Sequence, residues 1–312
     1  MDDRHSGHAA DPLVPDARRA PVPFGFSSAS PVLEPFEGSG VLCNVVVNVE
    51  HWSLDEPMPR AALPPPQGRG AVPDVANHSW VLYGLRCGLP RLAEALAPLG
   101  AEVSVAVNAS VIDHYPAVAE LIDDLGWEVL AHGFVQRAAH TYPSEERMIS
   151  TTLELLHRRF GRPRGWLSPG MSQTDHSLGL LRAAGVDFTH DWMVDDRPVW
   201  LRSPAGPLVG LPYTLALNDV TTYVVEHQSD GTLIDRLERT LEVLEPESRR
   251  SAVVVPIGLH PHVVGVPHRI AEVRRIVAAV SSNDAVRPVR SSRICDWFIR
   301  QVPAPAPWGA GR

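Results

Sequence analysis

Nine residues near the start of the chain, Val41 to Val49 (VLCNVVVNV), hold five valines and no charge. β-Branched side chains favour extended backbone, and the run lacks the polar/apolar alternation of a strand with one wet face. It therefore reads as a strand buried on both sides, the kind that belongs to parallel sheets covered by helices. The run ends abruptly at Glu50-His51-Trp52. A carboxylate and an imidazole at the carboxyl end of a central parallel strand stand where α/β folds gather their functional groups. Polar capping of a strand end is the plainer reading of this stretch alone; recurrence of the pattern favours a site.

Leu89, Leu92, Ala93, Leu96 and Leu99 fall at helical spacing before Gly100, and residues 101 to 107 (AEVSVAV) then alternate as a strand. A second amphipathic helix is expected over 114–125, and a strand over 127–131 that stops at His132-Gly133. A helix over 143–160 opens with Pro143 in its first turn and has Glu145 and Glu146 near the positive end of its dipole. A short strand at 164–168 is broken by Pro169-Gly170, and a helix follows over 173–184. Short strands at 186–189 and 208–211 flank a loop at 191–198, and a helix covers 230–245. The second strongly apolar run, 251–259 (SAVVVPIGL), ends at His260-Pro261-His262. A helix over 268–281, a strand near 286–289 and a helix over 291–301 complete the pattern.

Strand and helix alternate about seven times, which predicts a parallel sheet closed into a barrel. Right-handed crossovers put every strand's carboxyl end on one face, so Glu50-His51, Asn108, His132, Pro169-Gly170 and His260 are expected to meet there. No GxGxxG follows the first strand, which sets a dinucleotide fold aside.

A chain of 312 residues suits one large barrel domain, here 39–302. Residues 1–38, rich in Pro, Ala, Asp and Arg without periodicity, read as a flexible or surface-draped arm, and 303–312 as a tail. The proline- and glycine-rich stretch 57–73 is a long loop, either a lid or an ordered excursion. A formal charge of -8 offers no basic field for phosphate, so nucleic acid is not an expected partner. No apolar run approaches the roughly 18 residues of a membrane span, and the N-terminus lacks the apolar core of a secretory signal. Cys43, Cys87 and Cys295 lie far apart without CxxC spacing and read as buried thiols in a reducing compartment, which points to the cytoplasm. A homo-oligomer is left open.

Among the candidate site residues, Glu50 has the chemistry of a general base on water. An imidazole opposite such a base is what amide hydrolysis needs, because the departing nitrogen must be protonated as the bond breaks, and His260 fits that part. His132 precedes Gly133, which lets backbone pass close to a ligand. His140 lies eight positions further, a weak spacing for a metal pair. Trp52, Trp80, Trp166 and Trp192 near strand ends suggest a flat, partly apolar pocket. Asp195 and Asp196, beside Arg197, read either as a loop ion pair or as partners for substrate N–H groups.

Six segments then carry a resemblance: NVEHW at 48–52, LYGLRCG at 82–88, AHGF at 131–134, GWLSPG at 165–170, DWMVDDRPVW at 191–200 and GLHPHVVGVPHR at 258–269. In order and spacing the chain resembles the polysaccharide deacetylase superfamily, in particular its allantoinase-like and cyclic-imide-hydrolase-like branch. The resemblance implies a distorted (β/α)7 barrel and hydrolysis of a carbon–nitrogen bond that is not an ordinary peptide. In the deacetylases the first motif carries a base and a metal-binding acid; Glu50 matches the base, and His51 falls where the acid would be. Their second motif is His-x-x-x-His, where this chain has His132 and Gln136. Their third has an Arg before the Pro, where this chain has Leu167 two positions before Pro169. The fifth motif's His matches His260.

A divalent metal such as zinc would thus fall to His51, His132 and His140, whereas the allantoinase-like branch works without one. Without metal, Glu50 and His260 would activate water and protonate nitrogen, with His132, Arg86 and backbone N–H groups at the oxyanion. Trp52, Trp166, Arg86, Asp195 and Asp196 are the expected substrate contacts. The expected substrate is a small cyclic ureide or imide, or a small N-acyl compound. A metal-dependent polysaccharide or sugar N-deacetylase and a catalytically degenerate ligand-binding barrel are the alternatives.

Overall fold

Strand β1 (Val41–Val49) is an interior strand of a nine-stranded sheet. It pairs in parallel with β8 (Val253–Leu259) along one edge, and along the other with β9 (Val286–Pro288) at Val41–Cys43 and with β2 (Val103–Val107) at Val45–Val49. All nine of its residues are buried, as the run of valines requires. Alternate side chains go to opposite faces. Val41, Cys43, Val45, Val47 and Val49 join the core between sheet and helices. Leu42 and Val46 face the inside of the curl, together with Ala106, Leu130, Leu167, Phe188, Val209 and Val254.

That inner face also receives Asn44 and Asn48, whose amides need partners because an unpaired buried amide costs about 1–3 kcal/mol. Asn44 Nδ2 donates to the Val289 carbonyl at 2.9 Å, and Asn48 Nδ2 to the Leu259 carbonyl at 3.3 Å. Deeper in the barrel, His190 Nε2 stands 3.0 Å from Ser291 Oγ.

The computed structural model describes residues 20–64, 70 and 72–305. From β1 the sheet runs through β2, β3 (Glu128–Ala131), β4 (Gly165–Trp166), β5 (Phe188–Thr189) and β7 (Leu208–Gly210), all parallel, to an antiparallel edge strand, β6 (Val199–Leu201). The barrel is therefore a distorted one that does not close by a full strand pair. Its gap is bridged where Asn218 pairs with Gly258 of β8.

The helices cover the outside. They are α1 (Val75–Tyr83), α2 (Leu89–Leu96), α3 (Val111–His114), α4 (Pro116–Leu125), α5 (Glu145–Phe160), α6 (Ser177–Ala183), α7 (Thr232–Ser248), α8 (Ile270–Ser282) and α9 (Ser291–Gln301). Helix α5 shows how local sequence sets such boundaries. Ser144 caps it by accepting from the Arg147 amide, acids fill its first turn, and His157, Arg158 and Arg159 fill its last, each complementing the dipole.

Two elements depart from the sequence reading. Helix α1 carries no clear apolar stripe and starts on the Asp74 cap, which accepts from the Asn77 amide. Strand β6 lies at the end of the expected loop 191–198 and reverses the chain direction. The expected N-terminal arm is described only from residue 20, and Leu33 and Phe36 within it are buried with Trp297 at the base of the barrel. Parts of the 57–73 loop and of the tail, residues 65–69, 71 and 306–312, lie outside the described residues, as do residues 1–19. Among the described residues no helix is long and apolar enough to cross a membrane.

Burial also sets the acid sensitivity of this fold. His190 is pushed down to about 4 by burial, against the pull of the Pro212 carbonyl. Burial, with His114 and His78 nearby, takes His51 to about 4. Folded-state values below the unfolded value of about 6.5 mean stability that is present above that pH and lost as pH falls towards 4. The thermal midpoint is expected to drop between about pH 6.5 and 4, and His190→Asn to shallow that slope. Equal slopes for wild type and variant would show that His190 is not a source of the effect.

Candidate active site

The pleat that places Asn44 and Asn48 inside the barrel also sends Glu50 there, one step past the end of β1. His132 follows β3, and His260 follows β8, on the same inner face. The three side chains meet. Glu50 Oε1 lies 3.7 Å from His132 Nε2 and 3.6 Å from His260 Nε2, and accepts from Gln136 Nε2 at 2.8 Å. Its other oxygen accepts from Trp52 Nε1 at 2.6 Å. Burial alone would raise this carboxyl, but the charged His260 ring holds it well below the usual carboxylate range.

His260 is held from behind by a residue that sequence reading missed. Asp219 is fully buried; its Oδ1 lies 2.6 Å from His260 Nδ1, and its Oδ2 accepts from the His260 amide at 2.6 Å. Burial works to lower His260, yet Asp219 and Glu50 outweigh it and raise the imidazole to about 10. The ring is therefore an imidazolium at neutral pH, with Nε2–H facing Glu50. A signal for Asp219 exists in the sequence, since it is the only acid between Arg197 and Glu226, set within apolar LALNDVTTYVV.

His132 Nδ1 lies 2.5 Å from the Leu167 carbonyl, which can only accept. In the neutral ring the proton thus sits on Nδ1 and Nε2 is a lone pair. That Nε2 is buried with no hydrogen-bond partner. A bare ring nitrogen whose other nitrogen donates to a carbonyl is the tautomer that binds metals, so the rest of the expected ligand set decides the fit.

The set does not converge. His51 follows Glu50 by one residue and points to the opposite face, where Nδ1 stands 2.8 Å from Ser110 Oγ and the ring lies 4.4 Å from that of His114. The chain does not turn between Glu50 and His51, so the two side chains do not share a face. His140 is exposed on a short 3-10 turn (Ala139–Thr141). Gln136 holds the second motif position with an amide already donating to Glu50. Among the described residues no group of three or more His, Cys, Asp or Glu side chains is arranged to hold a metal ion. The residues present do not fit a deacetylase-type metal.

Around Glu50 and His260 opens a cavity of about 390 Å³, lined by Trp52, Trp80, Tyr213, His262 and the loop carrying Pro57, Pro59 and Arg60. Trp52 is thus where the sequence placed it. The other expected substrate contacts are not among the lining residues. Trp166 alternates outward into the helix-side core, donating to Ser168 Oγ at 2.8 Å, and its neighbour Leu167 takes the inner position. Asp195 and Asp196 lie at the opposite end of the barrel, because the chain descends before β6. The Asp196 carbonyl accepts from the Val254 amide near the start of β8, and Asp195 accepts from Ser27 Oγ at 2.8 Å. Arg86 is exposed on a π-turn (Gly84–Gly88).

That turn contributes through its glycines. A Cβ on Gly84 would fall 2.5 Å from the His262 amide nitrogen, and one on Gly88 would fall on the Pro261 carbonyl oxygen. Backbone approach this close seats the His260-Pro261-His262 loop. His262 is buried there, 4.5 Å from the Trp80 ring, and burial takes it down to about 3. It is therefore a neutral wall beside the charged His260.

The chain matches no protein-family model and no curated protein. Its structure is similar to the crystal structure of PuuE allantoinase, with a TM-score of 0.81 and 21% identity over 89% of this chain and 96% of that one. The fold is that of PuuE allantoinase. A probable polysaccharide deacetylase from Pseudomonas aeruginosa PAO1 shares it with a TM-score of 0.75 and 23% identity, covering 86% of this chain and 93% of that one. A CE4 family pseudoenzyme from Bacillus anthracis is more distant, with a TM-score of 0.51 and 11% identity over 86% and 69% of the two chains. At these identities the likeness establishes the fold, and the chemistry has to be argued from the side chains.

Gly88→Ala is expected to cost about 1–3 kcal/mol through the forced contact with Pro261. Gly179 lies in α6 with only an ordinary 3.5 Å contact to Pro204, so Gly179→Ala is expected to be neutral or stabilising. Denaturant midpoints of the two variants check this, and an unperturbed Gly88→Ala protein would remove the glycine from the account of the loop.

Proposed function

We propose that the protein is a hydrolase of a non-peptide carbon–nitrogen bond, acting on a small cyclic ureide or imide or a small N-acyl compound. The observation that carries this reading is the buried Glu50 carboxylate 3.6 Å from a His260 ring that is itself backed by Asp219. A base and an acid whose environments drive their proton affinities apart form the pair that amide hydrolysis needs. Glu50 takes a proton from water as the water oxygen bonds to the carbonyl carbon. His260 gives its Nε2 proton to the departing nitrogen as the carbon–nitrogen bond breaks, and the products are a carboxyl group and a free amine or amide. No step runs through a metal.

The His132 Nε2 lone pair beside Glu50 Oε1 gives the attacking water a second acceptor. This departs from the expectation that His132 donates to the oxyanion, since a neutral ring protonated on Nδ1 has nothing to donate there. A cavity of about 390 Å³ falls at the small end of ligand pockets, which supports a compact substrate over a polysaccharide chain. The names of the structurally similar proteins, an allantoinase and polysaccharide deacetylases, support the same bond class.

Glu50→Gln is expected to lower kcat by about 10²–10⁴ without loss of fold. Assay of purified protein on a panel of ureides, imides and N-acyl amines, with circular dichroism alongside, tests it. Near-normal turnover by a folded variant removes Glu50 from the mechanism, and no turnover by wild type on any member favours a binding protein.

The pH profile gives a second test. His260 keeps its proton up to about 10, and Glu50 stays ionised well below its usual value. Hence kcat/KM is expected to be flat through neutrality and to fall as pH rises through about 10, reporting loss of the acid. Asp219→Asn removes the contacts that raise His260, so the alkaline limb should move to lower pH. An alkaline limb in the same place in both proteins would rule His260 out as the group that titrates.

A further inference from the structure

Tyr213 lines the floor of the cavity and is 5% exposed. Its hydroxyl oxygen accepts from Asn48 Nδ2 and from Asn218 Nδ2, each at 3.3 Å. Backbone partners fix the orientation of both amides. Asn48 Nδ2 also donates to the Leu259 carbonyl, and Asn218 Oδ1 accepts from the amides of Val220 and Thr221. Neither amide can turn its oxygen to the phenol without breaking those bonds.

A phenol oxygen has two lone pairs and one proton, and here both acceptor positions are filled by N–H donors. The proton must therefore go elsewhere, and among the described residues Tyr213 makes no hydrogen bond as a donor. Burial raises the phenol, with the Asp219 and Glu50 carboxylates adding to the effect, so the proton is firmly held. A buried O–H without an acceptor costs about 1–3 kcal/mol, a cost that a ligand oxygen would relieve.

The position of the hydroxyl is built into the sheet. Asn48 precedes Glu50 by two residues on the inner face of β1, and Gly258 precedes His260 by two on β8. The hydroxyl thus sits one pleat repeat, about 6–7 Å, below the layer of the proposed base and acid. A Cβ on Gly258 would lie 2.5 Å from it, so the glycine makes the space that the phenol tip occupies.

We propose that the Tyr213 hydroxyl is a substrate-binding donor. It takes a carbonyl oxygen at the buried end of the bound molecule, so the substrate class is one with an acceptor pointing into the barrel, as cyclic ureides, imides and N-acyl groups have. This rests on the hydrolase reading above, in which the substrate lies between Glu50 and His260. An alkyl amine or a purely cationic group at the buried end would leave the O–H unpaired and is selected against.

The test uses the full chain and the substrate that wild type turns over best in the panel of ureides, imides and N-acyl amines. Tyr213→Phe keeps the ring and removes only the donor, and is expected to lower kcat/KM by about 10- to 100-fold with the fold retained. The readout that packing cannot move is oxygen-to-sulfur discrimination. Replacing the deep carbonyl oxygen by sulfur, a poor acceptor, should penalise wild type strongly and Tyr213→Phe little. Wild-type turnover with kcat/KM of Tyr213→Phe within twofold, or with an unchanged oxygen-to-sulfur ratio, overturns the proposal and leaves the hydrolase reading standing. Absence of wild-type turnover on every member overturns both.

Discussion

The pleat of β1 is the constraint on which the site depends. Because neighbours in an extended chain face opposite ways, Glu50 enters the barrel and His51 leaves it. The same rule applied to parallel neighbours in register brings His132 from β3 and His260 from β8 onto the face that Glu50 occupies. What makes the arrangement workable is charge. A lone carboxylate with this little solvent would protonate, but the His260 cation keeps it ionised, and Asp219 in turn keeps the cation. The three form an alternating chain of signs, minus, plus, minus, in which each member is tenable only beside the next.

Much of this was legible from the residues alone. The valine run predicts a central parallel strand and SAVVVPIGL predicts its neighbour; of the polar residues that end those runs, Glu50 and His260 lie together and His51 does not. What escaped did so for geometric reasons. Asp219 follows no recognisable strand run, because it sits on the segment beyond β7 that bridges the barrel gap. Proximity in sequence points Trp166 and His51 at the site, but parity of the strand sends them to the helix side. Asp195 and Asp196 are displaced by a chain reversal, since β6 is the one antiparallel strand and carries its leading loop to the far end.

Arg86 illustrates a different limit. Its segment matters, but through Gly84 and Gly88, whose lack of side chains lets the π-turn lie against the loop of His260 and His262. A charged residue draws the eye in a sequence, whereas close backbone approach leaves a trace only as glycine spacing. Gly258 acts in the same manner, leaving room for the Tyr213 hydroxyl.

The incomplete closure of the barrel has a consequence for how the protein can move. Between the edge strand β6 and β8 the wall near the mouth is only the bridge at Asn218 and Gly258, with the Leu217 carbonyl accepting from the Gly258 amide; the other tie, the Asp196 carbonyl accepting from the Val254 amide, lies at the far end. The residue after Asn218 is the one that grips His260. The seam that would part most readily if the barrel breathed is therefore also the mount of the proton donor. Widening the mouth to admit a bulky guest would slacken that mount, so the range of molecules admitted and the strength of the acid cannot be tuned independently.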